Sequence, residues 1–245
     1  MRIEGLSAFA AVAMPEIRPP PPTGTTMRSR SGTAAKALKP AVRILGVESR
    51  NYPSMHQRLA GIPVECGGDT IAEGIAVKDV GATALSIIRE LVDEVLVVEE
   101  ETIERAVVAL IEIEKTVAEG AGAAGLAALL QHGPLFAGRR VGVPISGGNI
   151  DSRVLASVLM RGLVRDGRLV RLRVTMPDVS GSLAKVAAVI AEAGGNIVEI
   201  QHQRIFGTSS VRSPEVEFLV ETRDRGHTDA LVQALQEKSI KVSAS

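Results

Sequence analysis

The chain has 245 residues, enough for two modest domains, and its 28 basic and 28 acidic residues cancel to a formal charge of zero. That balance supplies no field to attract nucleic acid or an anionic membrane, and four Phe, one Tyr and no Trp leave no platform for stacking bases or sugars. A single cysteine, Cys66, excludes intramolecular disulfides and cysteine-based zinc sites.

Hydrophobic residues make up 45% of the chain, as in a folded protein. No apolar run reaches the roughly 20 residues of a membrane span, and a soluble, cytoplasmic protein is expected. Residues 1–32 are expected to be a disordered lead-in rich in Pro, Arg and Ser. Pro19 to Pro22 favour extended polyproline and forbid ladders. Gly5 to Met14 has the look of a signal-peptide core, but Glu4 spoils its basic flank and the run is short.

Regular patterning starts at Thr33. TAAKALKP (33–40) reads as a helix end stopped by Pro40, AVRILGVE (41–48) as a buried strand, and PSMHQRLAG (53–61) as a short helix with Pro in its first turn and Gly after its end. ATALSIIRELVDE (82–94) is amphipathic through Leu85, Ile88 and Leu91, and EVLVVEE (94–100) is a strand. ETIERAVVALIEIEKTVAE (101–119) predicts a long helix, apolar at Ile103, Val107, Leu110 and Ile111. GAAGLAALLQH (122–132) predicts a helix of small residues, RVGVPIS (140–146) a third buried strand, and DSRVLASVLMRGLV (151–164) another helix. Strands alternating with helices over 33–165 predict an α/β fold with a parallel sheet.

The character changes at the RDGR turn (165–168). LVRLRVTMP, GSLAKVAAVIAEAG, NIVEIQHQRIF, EVEFLVET, HTDALVQALQEK and SIKVSA then follow in the order βαββαβ. That is a ferredoxin-like unit over 168–245 whose two halves form a weak internal repeat. Gly181 marks the start of its first helix, and Gly194-Gly195-Asn196 the stop.

Chemistry points first to SGGNID, Ser146 to Asp151, placed after a predicted strand and opening a helix. Ligands of open α/β sheets bind at such carboxyl ends, and two glycines admit close backbone approach. Spacing alone favours an ordinary strand-to-helix turn with Asp151 as a first-turn charge. Glu119, ahead of a glycine-rich helix start in EGAGAAGLAAL (119–129), is either a site carboxylate or a cap. DTIAEGIAVKDVG (69–81) is a glycine-containing loop with no chemistry of its own, and Cys66 reads as a small packed residue or a bystander.

LGVES (45–49), DTIAEGIAVKDVG, EGAGAAGLAAL and SGGNID together, in this order, resemble threonine ammonia-lyases (threonine dehydratases) of the fold-type II pyridoxal-phosphate family. The tail, with DVSGSL and GGNIVEI, resembles an ACT domain. The resemblance covers about 33–245. It implies a partial fold-type II parallel sheet with helices over 33–165 and an ACT regulatory domain over 168–245. The implied cofactor is pyridoxal phosphate, with Ser146 on its pyridine nitrogen, Gly147, Gly148 and Asn149 along its edge, and Glu119 near the ring. A hydroxyl on that nitrogen, unlike a carboxylate, does not hold it protonated. The implied reaction converts L-threonine to 2-oxobutanoate and ammonia. The implied effector is a branched-chain amino acid at Asp178, Gly181, Leu183, Asn196 and Ile197, with a homo-oligomer formed through sheet edges.

The chain departs from this pattern in three places. The family's cofactor-bearing lysine stands in a Ser-x-Lys-x-Arg-like context that none of Lys36, Lys39, Lys78, Lys115, Lys185, Lys238 and Lys241 shares, so no catalytic residue is assigned. The glycine-rich phosphate loop should end near Ser31-Gly32-Thr33, where TTMRSR precedes instead. Glu48 matches one carboxylate of the racemase metal site, but Ser54 stands where a second would be, and no metal is expected. The reading is therefore the C-terminal part of a lyase, with residues 1–30 arising from a frameshift or wrong start. The alternative is an amino-acid-sensing ACT protein without catalysis.

Overall fold

A computed structural model describes residues 31–202 and 215–244. The expected lead-in falls outside these residues except at its end, where Ser31 and Gly32 open the first helix; residues 203–206 of the predicted NIVEIQHQRIF strand also fall outside. The chain divides into two compact units between Val158 and Leu159.

The first unit runs α1 (Ser31–Leu38), β1 (Leu45–Ser49), α2 (Ser54–Ala60), a 3₁₀ turn (Glu73–Ile75), α3 (Ala82–Leu91), β2 (Glu94–Val98), α4 (Glu100–Glu112), α5 (Gly120–Gln131) and α6 (Gly133–Phe136), then enters α7 (Ser152–Arg165). β1 and β2 are parallel, in register from Leu45 opposite Glu94 to Ser49 opposite Val98. All five β1 residues are buried, as a strand covered on both faces requires. Ile103, Ala106, Val107 and Leu110 recur at helical spacing on α4 and are buried. α5 is buried on nearly every side, because Ala and Gly let its backbone come close to its neighbours.

Two expected elements differ. The α4 helix stops at Glu112, seven residues early: Lys115 takes a positive φ of 55° and the Thr116 N–H turns back to the Leu110 carbonyl. Residues 140–146 form no strand. A ladder needs a neighbour, the described sheet of this unit is β1–β2 alone, and Pro144 has no N–H to donate.

The second unit completes α7 and continues β3 (Leu169–Thr175), α8 (Ser182–Glu192), β4 (Asn196–His202), β5 (Glu215–Glu221), α9 (Arg225–Glu237) and β6 (Lys241–Ala244). The strand order is β4-β5-β3-β6, antiparallel throughout, the predicted βαββαβ arrangement. Alternation sends Leu172, Val174, Val216, Phe218 and Val220 inward onto Val186 and Ile190 of α8 and Leu231 and Leu235 of α9. Arg171 and Arg173 take the other face, where Arg173 Nε donates to Glu217 Oε1 at 2.8 Å. Gly195 is fixed by packing: a Cβ there would lie 2.7 Å from Leu231 Cδ1 and 2.9 Å from Val220 Cγ1.

Candidate functional site

Three separate segments of the first unit converge on Glu119. Its N–H donates to the Gly147 carbonyl at 2.9 Å. Gly147 has φ +74°, and a Cβ added there would meet Glu119 Oε1 at 2.3 Å. A Cβ on Gly122 would come within 1.7 Å of the Ser146 carbonyl oxygen. On the other flank, a Cβ on Gly120 would lie 2.3 Å from the Ile71 carbonyl, and one on Gly74 3.0 Å from the Ala121 Cβ and 3.6 Å from Glu119 Oε1. Close approach to another backbone is thus the reason for glycine at 120 and 122, and the left-handed φ beside the Glu119 side chain the reason at 147.

Ser146, Gly147, Gly148 and Asn149 are exposed, so this glycine edge faces outward with a neutral hydroxyl at Ser146 and a carboxylate beside it at Glu119. Asp151 performs the plain role: its Oδ1 accepts from the N–H groups of Arg153 and Val154 at 2.9 and 3.1 Å, capping α7.

Glu48 is buried and faces donors. It accepts the Met55 and His56 N–H groups at 2.9 and 2.8 Å, while Ser54 Oγ, 3.5 Å away, donates at 2.5 Å to the Val77 carbonyl. The carboxylate therefore caps the start of α2, and no group of three His, Cys, Asp or Glu side chains suited to a metal occurs among the described residues. Burial, outweighing these hydrogen bonds, pushes the Glu48 carboxyl above its ordinary value. A raised folded value means that the group's contribution to stability is complete below the unfolded value and is lost as pH rises through the folded one. Melting midpoints across acidic to neutral pH should therefore show the native chain losing ground to Glu48→Gln as pH rises; a difference independent of pH contradicts this.

The predicted effector residues lie in the second unit. Asp178 and Gly181 occupy the turn before α8, Leu183 is 39% exposed in its first turn, and Asn196 and Ile197 open β4. Asn196 Nδ2 donates to Glu221 Oε2 at 2.8 Å, and Ile197 is half-buried against the core. One residue nearby escaped the sequence reading. His227 is buried, its Nδ1 accepting the Arg223 N–H at 3.0 Å and its Nε2–H donating to the Ala193 carbonyl at 2.8 Å, just ahead of Gly194 to Asn196. A lone histidine without metal spacing carries no signal of that role. Replacing it with Ala strands the Arg223 N–H and should destabilise this unit by about 1–3 kcal/mol in denaturant titration; a change below about 0.5 kcal/mol contradicts the assignment.

Residues 27–147 match the family "Pyridoxal-phosphate dependent enzyme" and residues 170–239 the ACT domain. The chain thus carries a segment of the pyridoxal-phosphate-dependent enzyme family followed by an ACT domain. It is 42% identical over 209 residues to an L-threonine ammonia-lyase of Geobacter sulfurreducens, covering 83% of this chain and 51% of that one. It is 35% identical over 224 residues to the L-threonine ammonia-lyase of Thermotoga maritima, covering 91% and 56%. The processed form of threonine deaminase isoform 2 from Solanum lycopersicum aligns over 53% of this chain and 39% of its own, with 27% identity and a TM-score of 0.47. The chain spans about half the length of the curated relatives it matches.

Proposed function

We propose that this chain carries the C-terminal part of a threonine ammonia-lyase catalytic domain, followed by an ACT domain that takes a branched-chain amino acid. The parent reaction is the pyridoxal-phosphate-dependent elimination that converts L-threonine to 2-oxobutanoate and ammonia. The supporting observation is the convergence of residues 71–74, 117–122 and 146–148 on Glu119. These residues suit the flat edge of a pyridine ring: two glycines without side chains at 147 and 148, a neutral hydroxyl at Ser146, and amide groups at Asn149. Bound pyridoxal phosphate supplies the electron sink for the reaction. Ser146 would hydrogen-bond the ring nitrogen without supplying a full charge, Gly147 to Asn149 would line its edge, and Glu119 would sit beside it. The family's glycine-rich phosphate loop is absent from the sequence before Ser31, where TTMRSR (25–30) stands, and those residues fall outside the described ones.

No lysine is assigned to carrying the cofactor: Lys36 pairs with Asp93 at 3.4 Å, and Lys115 Nζ donates to the Glu112 carbonyl. The purified chain, supplied with pyridoxal phosphate and L-threonine, is accordingly expected to release no 2-oxobutanoate above a protein-free control. Sustained release would overturn that assignment.

A second reading, amino-acid sensing without catalysis, is favoured by the complete core of the second unit. Calorimetric titration of isoleucine and valine into the full chain should give saturable heat, reduced by Asn196→Ala; no heat with either removes this reading. A homo-oligomer formed through the β4 edge is part of this proposal, supported by the 52% and 40% exposure of Val198 and Ile200. A cytoplasmic location is part of the same proposal; separately, no described helix is long and apolar enough to cross a membrane.

A further inference from the structure

Glu100 begins α4 directly after β2, a position from which an acidic side chain ordinarily serves only the helix dipole. Here its carboxylate reaches across to two other segments. Oε1 accepts Ser49 Oγ at 2.5 Å, at the end of β1, and Thr70 Oγ1 at 2.7 Å; Oε2 accepts the Ile71 N–H at 3.2 Å. Each hydroxyl is used twice, since Ser49 Oγ also accepts the Asn51 N–H at 3.2 Å and Thr70 Oγ1 the Ala72 N–H at 3.0 Å. Ser49 is fully buried and Glu100 and Thr70 half-buried, so this network is shielded from competing water. An ionised carboxylate accepts at both oxygens, whereas an amide would turn an NH₂ towards one of these donors.

The clamp bears on the site through one residue. Ile71 gives its N–H to Glu100, while its carbonyl is the atom against which Gly120 is packed; Glu119, the residue just before α5, is held by its own N–H to the Gly147 carbonyl. Ser49, Glu100, Ile71, Gly120, Glu119 and Gly147 thus form one continuous series of contacts from the end of β1 to the glycine edge. Gly74, three residues beyond Ile71, packs beside Ala121 and the Glu119 carboxylate.

We propose that Glu100 is a positioning residue for the Glu119–Ser146 site, clamping the Thr70–Gly74 strap to the end of β1 and thereby fixing the shelf on which Glu119 rests. The functional meaning of that shelf rests on the reading that the site receives the cofactor ring.

Amide hydrogen exchange in the full chain, for Glu100→Gln and for the near-isosteric Thr70→Val, separates positioning from a local bond. The expected result is exchange at least tenfold faster at Ile71 in Glu100→Gln, a smaller rise at Ile71 in Thr70→Val, faster exchange at Ala72 in both, largest in Thr70→Val where its acceptor is lost, and in both a parallel rise at the Glu119 N–H, a reporter of the site rather than of the clamp. Faster exchange at Ile71 and Ala72 with an unchanged Glu119 N–H overturns the proposal. If Glu100→Gln fails to fold, Thr70→Val decides by the same comparison. Pyridoxal 5′-phosphate serves as the second probe: its absorbance on mixing with the native chain should be perturbed, and perturbed less with either variant. An unperturbed spectrum with the native chain removes the cofactor reading and leaves the exchange comparison to decide the role of Glu100. Equal perturbation by native and variant chains counts against positioning.

Discussion

Gly122→Ala is expected to destabilise the first unit by about 1–3 kcal/mol, the usual cost of overpacking, and to detach residues 146–149 from the start of α5. Two effects compete at this position. Alanine in a helix is better than glycine by about 0.5–1 kcal/mol. Against it stands a Cβ 1.7 Å from the Ser146 carbonyl oxygen. A backbone oxygen cannot rotate away as a flexible side chain can, so the steric effect wins. The Glu119 N–H to Gly147 carbonyl bond, 2.9 Å long, lies next to this contact and should open with it. Gly133→Ala is the control: nothing lies within 4 Å of its Cβ position, so its effect should stay within about 0.5 kcal/mol. Denaturant midpoints and exchange of the Glu119 amide check both variants. A Gly122→Ala protein as stable as the native chain would mean that α5 and residues 146–148 are not in contact.

The largest effect on stability is expected in the second unit, from Phe218→Ala. Phe218 is fully buried, stands opposite Leu172 in the β3–β5 ladder, and shares its core with Ile190, Leu231 and Leu235. Truncating a core Phe costs about 3–5 kcal/mol, transfer and cavity combined. A domain's whole stability is about 5–15 kcal/mol, so much of this unit's margin should disappear. Denaturant titration by circular dichroism should show an early transition assignable to this unit. A shift equivalent to less than about 1 kcal/mol would place the core elsewhere.

The second unit was the more legible from sequence because its elements satisfy one another. Alternation in LVRLRVT and EVEFLVE, with glycine at 181 and at 194–195, suffices to state a βαββαβ order, and the sheet has that order. In the first unit, the sequence located both strands and every α-helix except the short α6, but RVGVPIS has strand composition and no strand. Composition reports what a segment tolerates, whereas a ladder also depends on a partner. The long helix predicted over 101–119 is present but ends at Glu112, beyond which Lys115 takes a positive φ and the Thr116 N–H turns back to the Leu110 carbonyl.

Of the site, the motifs Glu119 and Ser146 to Asn149 were readable as segments, though only through their resemblance to a family. Spacing alone left Glu119 as a cap and SGGNID as a turn. Their adjacency comes from glycines packed against distant carbonyls, which one-dimensional periodicity does not encode. Glu100, Ser49 and Thr70 were invisible for the same reason. An acidic first-turn residue and two hydroxyls, separated by 21 to 51 positions, look like separate surface details until the fold brings them together.

The most direct test of the claim that Glu119 and Ser146 to Asn149 form a cofactor edge is titration of pyridoxal 5′-phosphate into the full native chain and into Gly122→Ala, followed by the cofactor's absorbance. The account predicts a saturable spectral change with the native chain that is strongly weakened in the variant. No saturable change with the native chain, or the same change in both proteins, would contradict it.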